Sequence, residues 1–442
     1  MSLVPGTGVR AEDVLDWIDA DPDGSSREEV RDLLAASNLG DAESSADLEA
    51  LFAAPLRLES GEFSGPLGPG PGGVNPASVL RIVAGLASFL GPRCAGARSK
   101  VLVAFDERPG SEALALLAAR AIQGSGGLAI LMPRPLPRPL VAFSTRLLLA
   151  DAALGIAGPS APGGAASVLV LLGGRAASGR AEGARILGED AALLEAAVRA
   201  APPAVDVPLA DEGWGLVGQT MIDAYVDRLL LGAQARKKAL PIAVFAAEAS
   251  GLDLLLEALS RIGLPSPVAV GVASSDSASQ VLDAAIVASA ASGAGLVLAL
   301  GPNGSTCSAA IPAERPGAFR ALSNGEVEAL LVERLARSRT GDPGALVSWA
   351  AGRGRDDSLL RAICERFRIA VVSTDPGIGA AVRVDGVCLA VAADGICADP
   401  AMTRDADGIG ALTGLAELAA RWFAKGSSLE AMLDAQERLL GK

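Results

Sequence analysis

The chain contains no histidine. That absence excludes His-based general acid–base catalysis, Ser-His-Asp nucleophile triads and histidine metal sites. Any chemistry must use carboxylates, serine, lysine or arginine. Aromatic residues make up 3% of the sequence and include one tyrosine, although half of all residues are hydrophobic and the mean hydropathy is +0.38. The apolar content is therefore mostly Ala, Leu and Val, which predicts cores of small side chains with thin aromatic packing. Cys94, Cys307, Cys364, Cys388 and Cys397 are odd in number and form no Cys-x-x-Cys. That pattern fits reduced thiols in a cytoplasmic chain. Basic residues are in deficit, 38 Lys+Arg against 51 Asp+Glu, for a net charge of −13. With no basic stripe to neutralise phosphates, neither nucleic acid nor an anionic membrane surface is expected as a partner.

Several common motifs are missing too. Neither Gly-x-x-x-x-Gly-Lys-Ser/Thr nor Gly-x-Gly-x-x-Gly is read after a strand, so P-loop and dinucleotide chemistry lack their main support. "GPGPGG" at 68–73 is Gly-rich, but its prolines remove amide donors that a phosphate nest needs, so it reads as a connector. "MSLVPGTGVRAEDVLDW" has no basic segment followed by an apolar run, and no secretory signal is expected. The uncharged window Ala284–Pro302 approaches membrane-span length but carries Ser292-Gly293 at its middle. It predicts a helix, a turn and a strand.

What is present is a long run of α/β signals. A chain of 442 residues exceeds one ordinary core and predicts two to four domains. Residues 10–53 alternate acidic and apolar positions, as in "REEVRDLLAA", and predict short amphipathic helices whose acids serve as exposed faces and caps. Residues 64–76 are too rich in Gly and Pro for a helix or a central strand. Strands are then predicted at 101–105, 128–132, 241–246, 267–272, 296–300, 345–350 and 369–374. Helices are predicted between or beside them at 111–122, 140–149, 251–263, 278–291, 325–338 and 358–367. Strands separated by helix-length segments imply parallel sheets covered by helices. Three such sets predict three similar α/β domains behind a helical lead-in.

Several stretches, taken together and in order, resemble one family, the phosphohexomutases (phosphoglucomutase and phosphomannomutase). "DVLDWIDADPDGSSREEVRDLL" is similar to the lead-in of its bacterial phosphoglucomutase branch. "VNPASVLRIVAGLASFL", "VLVAFDERPGSEALA" and "RPLPRPLVAFSTRLLLADAALGIA" resemble its first domain. "GLVGQTMIDAYVDRLL" resembles the link to the second, while "LSNGEVEALL" and "TRDADGIGALTGLAELAA" resemble parts of the third. The resemblance implies a lead-in over 1–53, mixed and mostly parallel sheets in domains over 54–205, 206–318 and 319–442, and no fourth domain before Lys442. It also implies a role in carbohydrate metabolism and, with a composition rich in Ala, Gly and Arg, a bacterial source.

The family's four active-site motifs can be placed without gaps, and each has lost its chemistry. The phosphoserine loop falls on Ala157-Gly158-Pro159-Ser160-Ala161-Pro162, with Pro159 at the nucleophile's position and Ser160 one step away. The metal loop falls on 301–306, where Gly301, Asn303 and Ser305 replace three aspartates and Thr306 replaces an arginine. The sugar-recognition loop falls on Val391-Ala392-Ala393-Asp394-Gly395, and Ser64 stands for the arginine of the Phe-Gly-Thr-Ala-Gly-x-Arg-Gly motif. Family chemistry moves a phosphoryl group between a serine and a sugar hydroxyl, with Mg²⁺ offsetting the developing charge. No anion remains in 301–306 to hold Mg²⁺. The expectation is a catalytically inactive homologue, with no cofactor, acting through association with an active mutase or another protein or through weak sugar-phosphate binding. Arg108 and Asp106 are its candidate substrate contacts, alternatively a structural pair at a βα turn. The alternative function is an active intramolecular phosphotransferase, an isomerase interconverting hexose 1- and 6-phosphates, with Ser160 as a shifted nucleophile.

Overall fold

The computed structural model describes residues 3–161, 163–230, 240–338, 346–350 and 357–438. Two compact units emerge, the first from Met1–Pro135, Thr145–Ser178 and Arg185–Val217, the second from Leu136–Ser144, Gly179–Ala184 and Gly218–Lys442.

The first unit opens with three helices, α1 (Ala11–Ala20), α2 (Gly24–Asn38) and α3 (Ala42–Phe52). Asp23 and Asp41 cap α2 and α3 by accepting from Ser25 N–H and Ser44 N–H, each at 3.0 Å. The lead-in closes over a small core of Val4, Val9, Val14, Ile18, Val30 and Leu48. The body follows with β1 (Leu58–Glu59), β2 (Glu62–Pro66), α4 (Pro76–Arg93), β3 (Lys100–Phe105), α5 (Ser111–Gly124) and β4 (Leu128–Leu131); next in the chain comes α6 (Arg138–Leu147), most of which belongs to the second unit. The body ends with β5 (Ala152–Ala157), β6 (Ala165–Leu172), β7 (Ala184–Arg185), α7 (Gly188–Arg199) and β8 (Gly215–Leu216). The sheet runs β1-β2-β6-β5-β3-β4-β8, with β7 on β6. Strands β5, β3, β4 and β8 are parallel, β6 runs antiparallel to β5, and β2 runs antiparallel to β6.

Two sequence readings change here. Residues 64–66, read as part of a connector, form the end of β2, where Ser64, Gly65 and Pro66 pair with Ser167, Ala166 and Ala165. Strand β1 reaches only as far as Phe63, so Pro66 sits on an open edge that needs no N–H. "GPGPGG" thus does follow a strand and precede a helix, yet it makes no anion nest. Its Gly68 and Gly70 carbonyls accept from Asn75 Nδ2 at 2.9 and 2.8 Å, and Asn75 closes a capping box with Ser78 at the start of α4.

The second unit holds α8 (Gln219–Leu229), β9 (Ile242–Ala246), α9 (Ala249–Arg261), β10 (Ala269–Val272), α10 (Ala278–Ser289), β11 (Leu296–Leu300), β12 (Cys307–Pro312) and β13 (Phe319–Ala321). Its first sheet runs β10-β9-β11-β12-β13. The second, β15-β14-β16-β17, comes from α11 (Asn324–Ser338), β14 (Leu346–Ala350), α12 (Ser358–Phe367), β15 (Ala370–Thr374), α13 (Ile378–Ala381), β16 (Val387–Ala392) and β17 (Gly395–Cys397). Helices α14 (Gly408–Ala424) and α15 (Leu429–Glu437) complete the unit. Ala345, the first residue expected in the strand that became β14, lies outside the described residues. In each sheet the three strands joined by helices are parallel, and the hairpin strands added after them are antiparallel. The α/β architecture with mixed sheets covered by helices agrees with the sequence. The window Ala284–Pro302 is the end of α10, a turn and β11, and no helix among the described residues is long and apolar enough to cross a membrane.

Small residues let the layers approach closely. A Cβ on Gly85 of α4 would lie 2.6 Å from the backbone of Val198 in α7. Gly85→Ala should therefore destabilise the protein by about 1–3 kcal/mol, read from the urea midpoint, whereas Ala84→Gly should cost only the helix-propensity difference of about 1 kcal/mol.

Candidate functional site

The first unit gathers one set of candidate residues at the C-terminal ends of β3 and β5, where βα turns place polar groups in open α/β sheets. Asp106 is buried at the end of β3. Its Oδ1 accepts from Ser111 Oγ, and from the backbone N–H of Arg108 and Gly158 at 3.2 Å each. Arg108 lies 3.6 Å from Asp106 Oδ2 and donates to the Gly158 carbonyl at 3.2 Å. One carboxylate thus ties the β3–α5 turn to the loop after β5. Pro159 and Ser160 follow directly, both half-buried, while Pro162 lies outside the described residues. Ser64 is exposed on β2.

The second unit carries the other set, at the end of β11. The ladder between β11 and β12 is extended by Gly301 N–H donating to Thr306 O at 2.8 Å, so 302–305 forms a tight hairpin loop. Asn303, at φ +55°, donates its N–H to Glu248 Oε2 at 3.1 Å. A Cβ on Gly301 would stand 2.1 Å from Thr306 Oγ1 and 3.0 Å from Ala278 Cβ. The Thr306 hydroxyl therefore fills the space in which a side chain at 301 would begin. The loop carbonyls crowd the next element as well, since a Cβ on Gly408 would fall 2.7 Å from Thr306 O. Val391 and Ala392 are buried in β16, and the exposed Asp394 turns back to accept from Ile378 N–H at 2.8 Å. The donor set at 301, 303 and 305 amounts to one amide, one hydroxyl and main-chain carbonyls, which does not fit Mg²⁺. Among the described residues no three His, Cys, Asp or Glu side chains converge as metal ligands.

The strongest electrostatic feature of this unit is one that sequence reasoning missed. Asp407, fully inside the protein, caps α14 by accepting from Gly410 N–H at 2.7 Å, and the same Oδ1 accepts from Tyr225 Oη at 2.9 Å. Burial pushes its carboxyl up to about 6, despite the Gly410 and Tyr225 donors that favour the anion, with Asp399 adding repulsion. Burial and Asp407 also raise the Tyr225 phenol and the Cys397 thiol, and hold the Cys307 thiol up at about 12. None of these groups is an activated nucleophile. All five cysteines are free thiols, as their number and spacing predict. A signal for the Tyr225–Asp407 bond did exist, in the single tyrosine of a chain poor in aromatics, but 182 residues separate the partners.

The sheets, their order and the loops at the ends of β3, β5, β11 and β16 define an α/β protein of the phosphohexomutase architecture. Residues 63–174 match the model of phosphoglucomutase/phosphomannomutase, alpha/beta/alpha domain I. A Haemophilus influenzae protein described as a phosphomannomutase is 24% identical over 377 residues, covering 81% of this chain and 74% of that relative. Among solved structures, a Thermus thermophilus protein described as a phosphomannomutase superposes with a TM-score of 0.69 at 20% identity, covering 88% of this chain and 84% of that one. A phosphoglucomutase/phosphomannomutase family protein from Burkholderia thailandensis gives 0.66 at 16% identity, with 86% and 79% covered. The family match thus covers residues 63–174 of the first unit, and the solved structures share the fold over most of the chain.

Two outcomes follow for the buried pair. Tyr225→Phe should cost about 1.5–3 kcal/mol, the worth of a buried hydrogen bond to a charged group. For pH, the folded Asp407 titrates near 6 and the unfolded one near 3.8. Its contribution is full below pH 3.8 and is lost as pH rises through 6, by about 3 kcal/mol. With no histidine in the chain, no other side chain titrates near pH 6 by its ordinary pKa. Asp407→Asn should therefore gain on the wild type in urea-melt stability between pH 4 and 7, and parallel profiles would contradict this.

Proposed function

We propose that this chain is a non-catalytic phosphohexomutase homologue of carbohydrate metabolism that acts by association with a partner protein, with weak sugar-phosphate binding as its residual ligand chemistry. One observation carries the reading. At position 301, where the family resemblance expects a metal-binding carboxylate, Thr306 Oγ1 occupies the place of the side chain. Loss of carboxylates alone could be reversed by three substitutions, whereas here a side chain at 301 would also meet Thr306 Oγ1 and Ala278. The phosphoserine position supports the same reading, because Pro159 offers no nucleophile. No Mg²⁺ requirement is expected.

For residual binding, Arg108 is the proposed anion contact, helped by the amides of the α5 N-terminus. Its guanidinium is already engaged with Asp106 and Gly158 O, so affinity for a hexose phosphate should be millimolar, about −4 kcal/mol.

The test is a coupled phosphoglucomutase assay on the purified chain with Mg²⁺ and glucose 1,6-bisphosphate, beside Ser160→Ala. Background rates from both are expected. Turnover by the wild type that Ser160→Ala abolishes would overturn the reading in favour of a shifted nucleophile. Calorimetry with glucose 1-phosphate should show weak heat that Arg108→Ala removes. The triple change Gly301→Asp, Asn303→Asp, Ser305→Asp should lower the melting temperature without creating a rise on adding Mg²⁺. A Mg²⁺-dependent rise would mean that the loop still accepts a metal.

A further inference from the structure

The first unit has a cavity of about 1370 Å³ lying between the lead-in helices and the helices α4 and α7 of its body. Its apolar lining includes Trp17, Phe52, Leu56, Ile82 and Val198, with Trp17 and Phe52 stacked edge to face, ring centres 6.1 Å apart. The rim is charged and unbalanced. Six carboxylates line it, Asp13, Asp16, Asp19, Glu49, Glu195 and Asp206, against the three guanidiniums of Arg57, Arg81 and Arg199.

Much of that charge is already used within the chain. Asp13 pairs with Arg10, Glu49 accepts from Gly8 N–H at 3.2 Å, and Glu195 lies 3.6 Å from Arg199. Arg81 donates to the Val198 and Arg199 carbonyls at the end of α7. Outside those contacts stand Arg57 and three exposed carboxylates, Asp16, Asp19 and Asp206, of which Asp16 also feels the charge of Arg10. The carboxylates come from both walls, two from α1 and one from the segment after α7. The space exceeds the roughly 300–1,000 Å³ of small-molecule pockets, and its apolar floor with a polar rim matches the way grooves receive an amphipathic helix.

We infer that this groove is a docking site for a basic amphipathic helix of a partner protein, with apolar residues laid on Trp17 and Phe52 and lysine or arginine side chains reaching Asp16, Asp19 and Asp206. Charge complementarity selects this occupant. A chain with a net charge of −13 disfavours an acidic partner or a second copy of itself, and an aromatic floor beside exposed carboxylates suits a cation on an apolar stem. The inference rests on the reading that this chain acts by association, and it names the chemistry of the associate.

The experiment uses the full chain and a fluorescein-labelled helical peptide with leucines on one face and lysines on the other. Saturable anisotropy is expected, with a shift of tryptophan emission that Trp17→Phe removes. Asp16→Asn/Asp19→Asn/Asp206→Asn should weaken binding about tenfold, three exposed charges at about 0.5 kcal/mol each. Glu28→Gln/Glu29→Gln/Asp32→Asn, an equal change of charge on exposed residues of α2 outside the groove, should stay within about twofold. Equal weakening by both triples would reduce the effect to general attraction by an acidic surface and overturn the proposal. So would the absence of saturation, equal binding of a peptide with glutamate for lysine, or a dimer that the groove triple dissociates. Mutase activity in the coupled assay would overturn the inactive reading and leave this measurement standing, so the two failures are distinguishable.

Discussion

The second unit depends on one buried helix. Every residue of α14 from Gly408 to Ala420 is buried, a pattern suited to a helix that is apolar nearly all round. Glu417, its one charged residue in that span, is held by Arg334 at 3.0 Å and Arg421 at 2.6 Å. The helix touches β11 and β12 of one sheet, β17 of the other, and α9 and α11. Its N-terminus is deep inside the protein, where unsatisfied amides would be costly. Asp407 meets that demand, and Tyr225 meets the demand that Asp407 creates. An ionisable carboxylate at this depth is unfavourable to charge, yet the Gly410 and Tyr225 donors and the helix dipole keep its pKa near 6. The arrangement is a helix cap first, and its titration is a consequence of where the cap had to be.

The same crowding explains the loop after β11. Gly408 begins α14 beneath the carbonyl of Thr306, and Gly395 approaches Ala406 from β17. With the hairpin pressed against α14 in this way, small residues at 301, 304, 395 and 408 are what permit the close contact. With Gly, Asn and Ser at 301, 303 and 305, the loop is held by hydrogen bonds to Glu248 and along the β11–β12 ladder. The strands and helices around it draw their stability from burial of Ala, Leu and Val. The turn at Asp106 in the first unit follows similar logic, with one buried carboxylate joining two loops through three donors.

Periodicity in the sequence determined most of the parallel strands and their helices. β3, α5, β9, α9, β11 and α12 lie within two residues of where alternation of apolar runs placed them, because buried strands and amphipathic helices are local patterns. Antiparallel additions such as β6 and β12 were less legible, since a second apolar run after a tight turn looks like a continuation of loop and core. β2 was hidden by Gly65 and Pro66, which are tolerated there only because β1 stops short. The helix caps at Asp23 and Asp41 were readable as acids before helices.

By itself, then, the sequence determined most of the parallel strands and the helices between them, that histidine chemistry is absent, and that residues 301, 303 and 305 carry no carboxylate. Those are properties of composition and short-range order. Tertiary structure alone decided that Thr306 fills the space above Gly301, that Tyr225 reaches Asp407, and that Trp17, Phe52 and three exposed carboxylates face one groove. Each of these joins residues through space rather than along the chain. Packing and desolvation, which set their energies, exist only once the layers have closed.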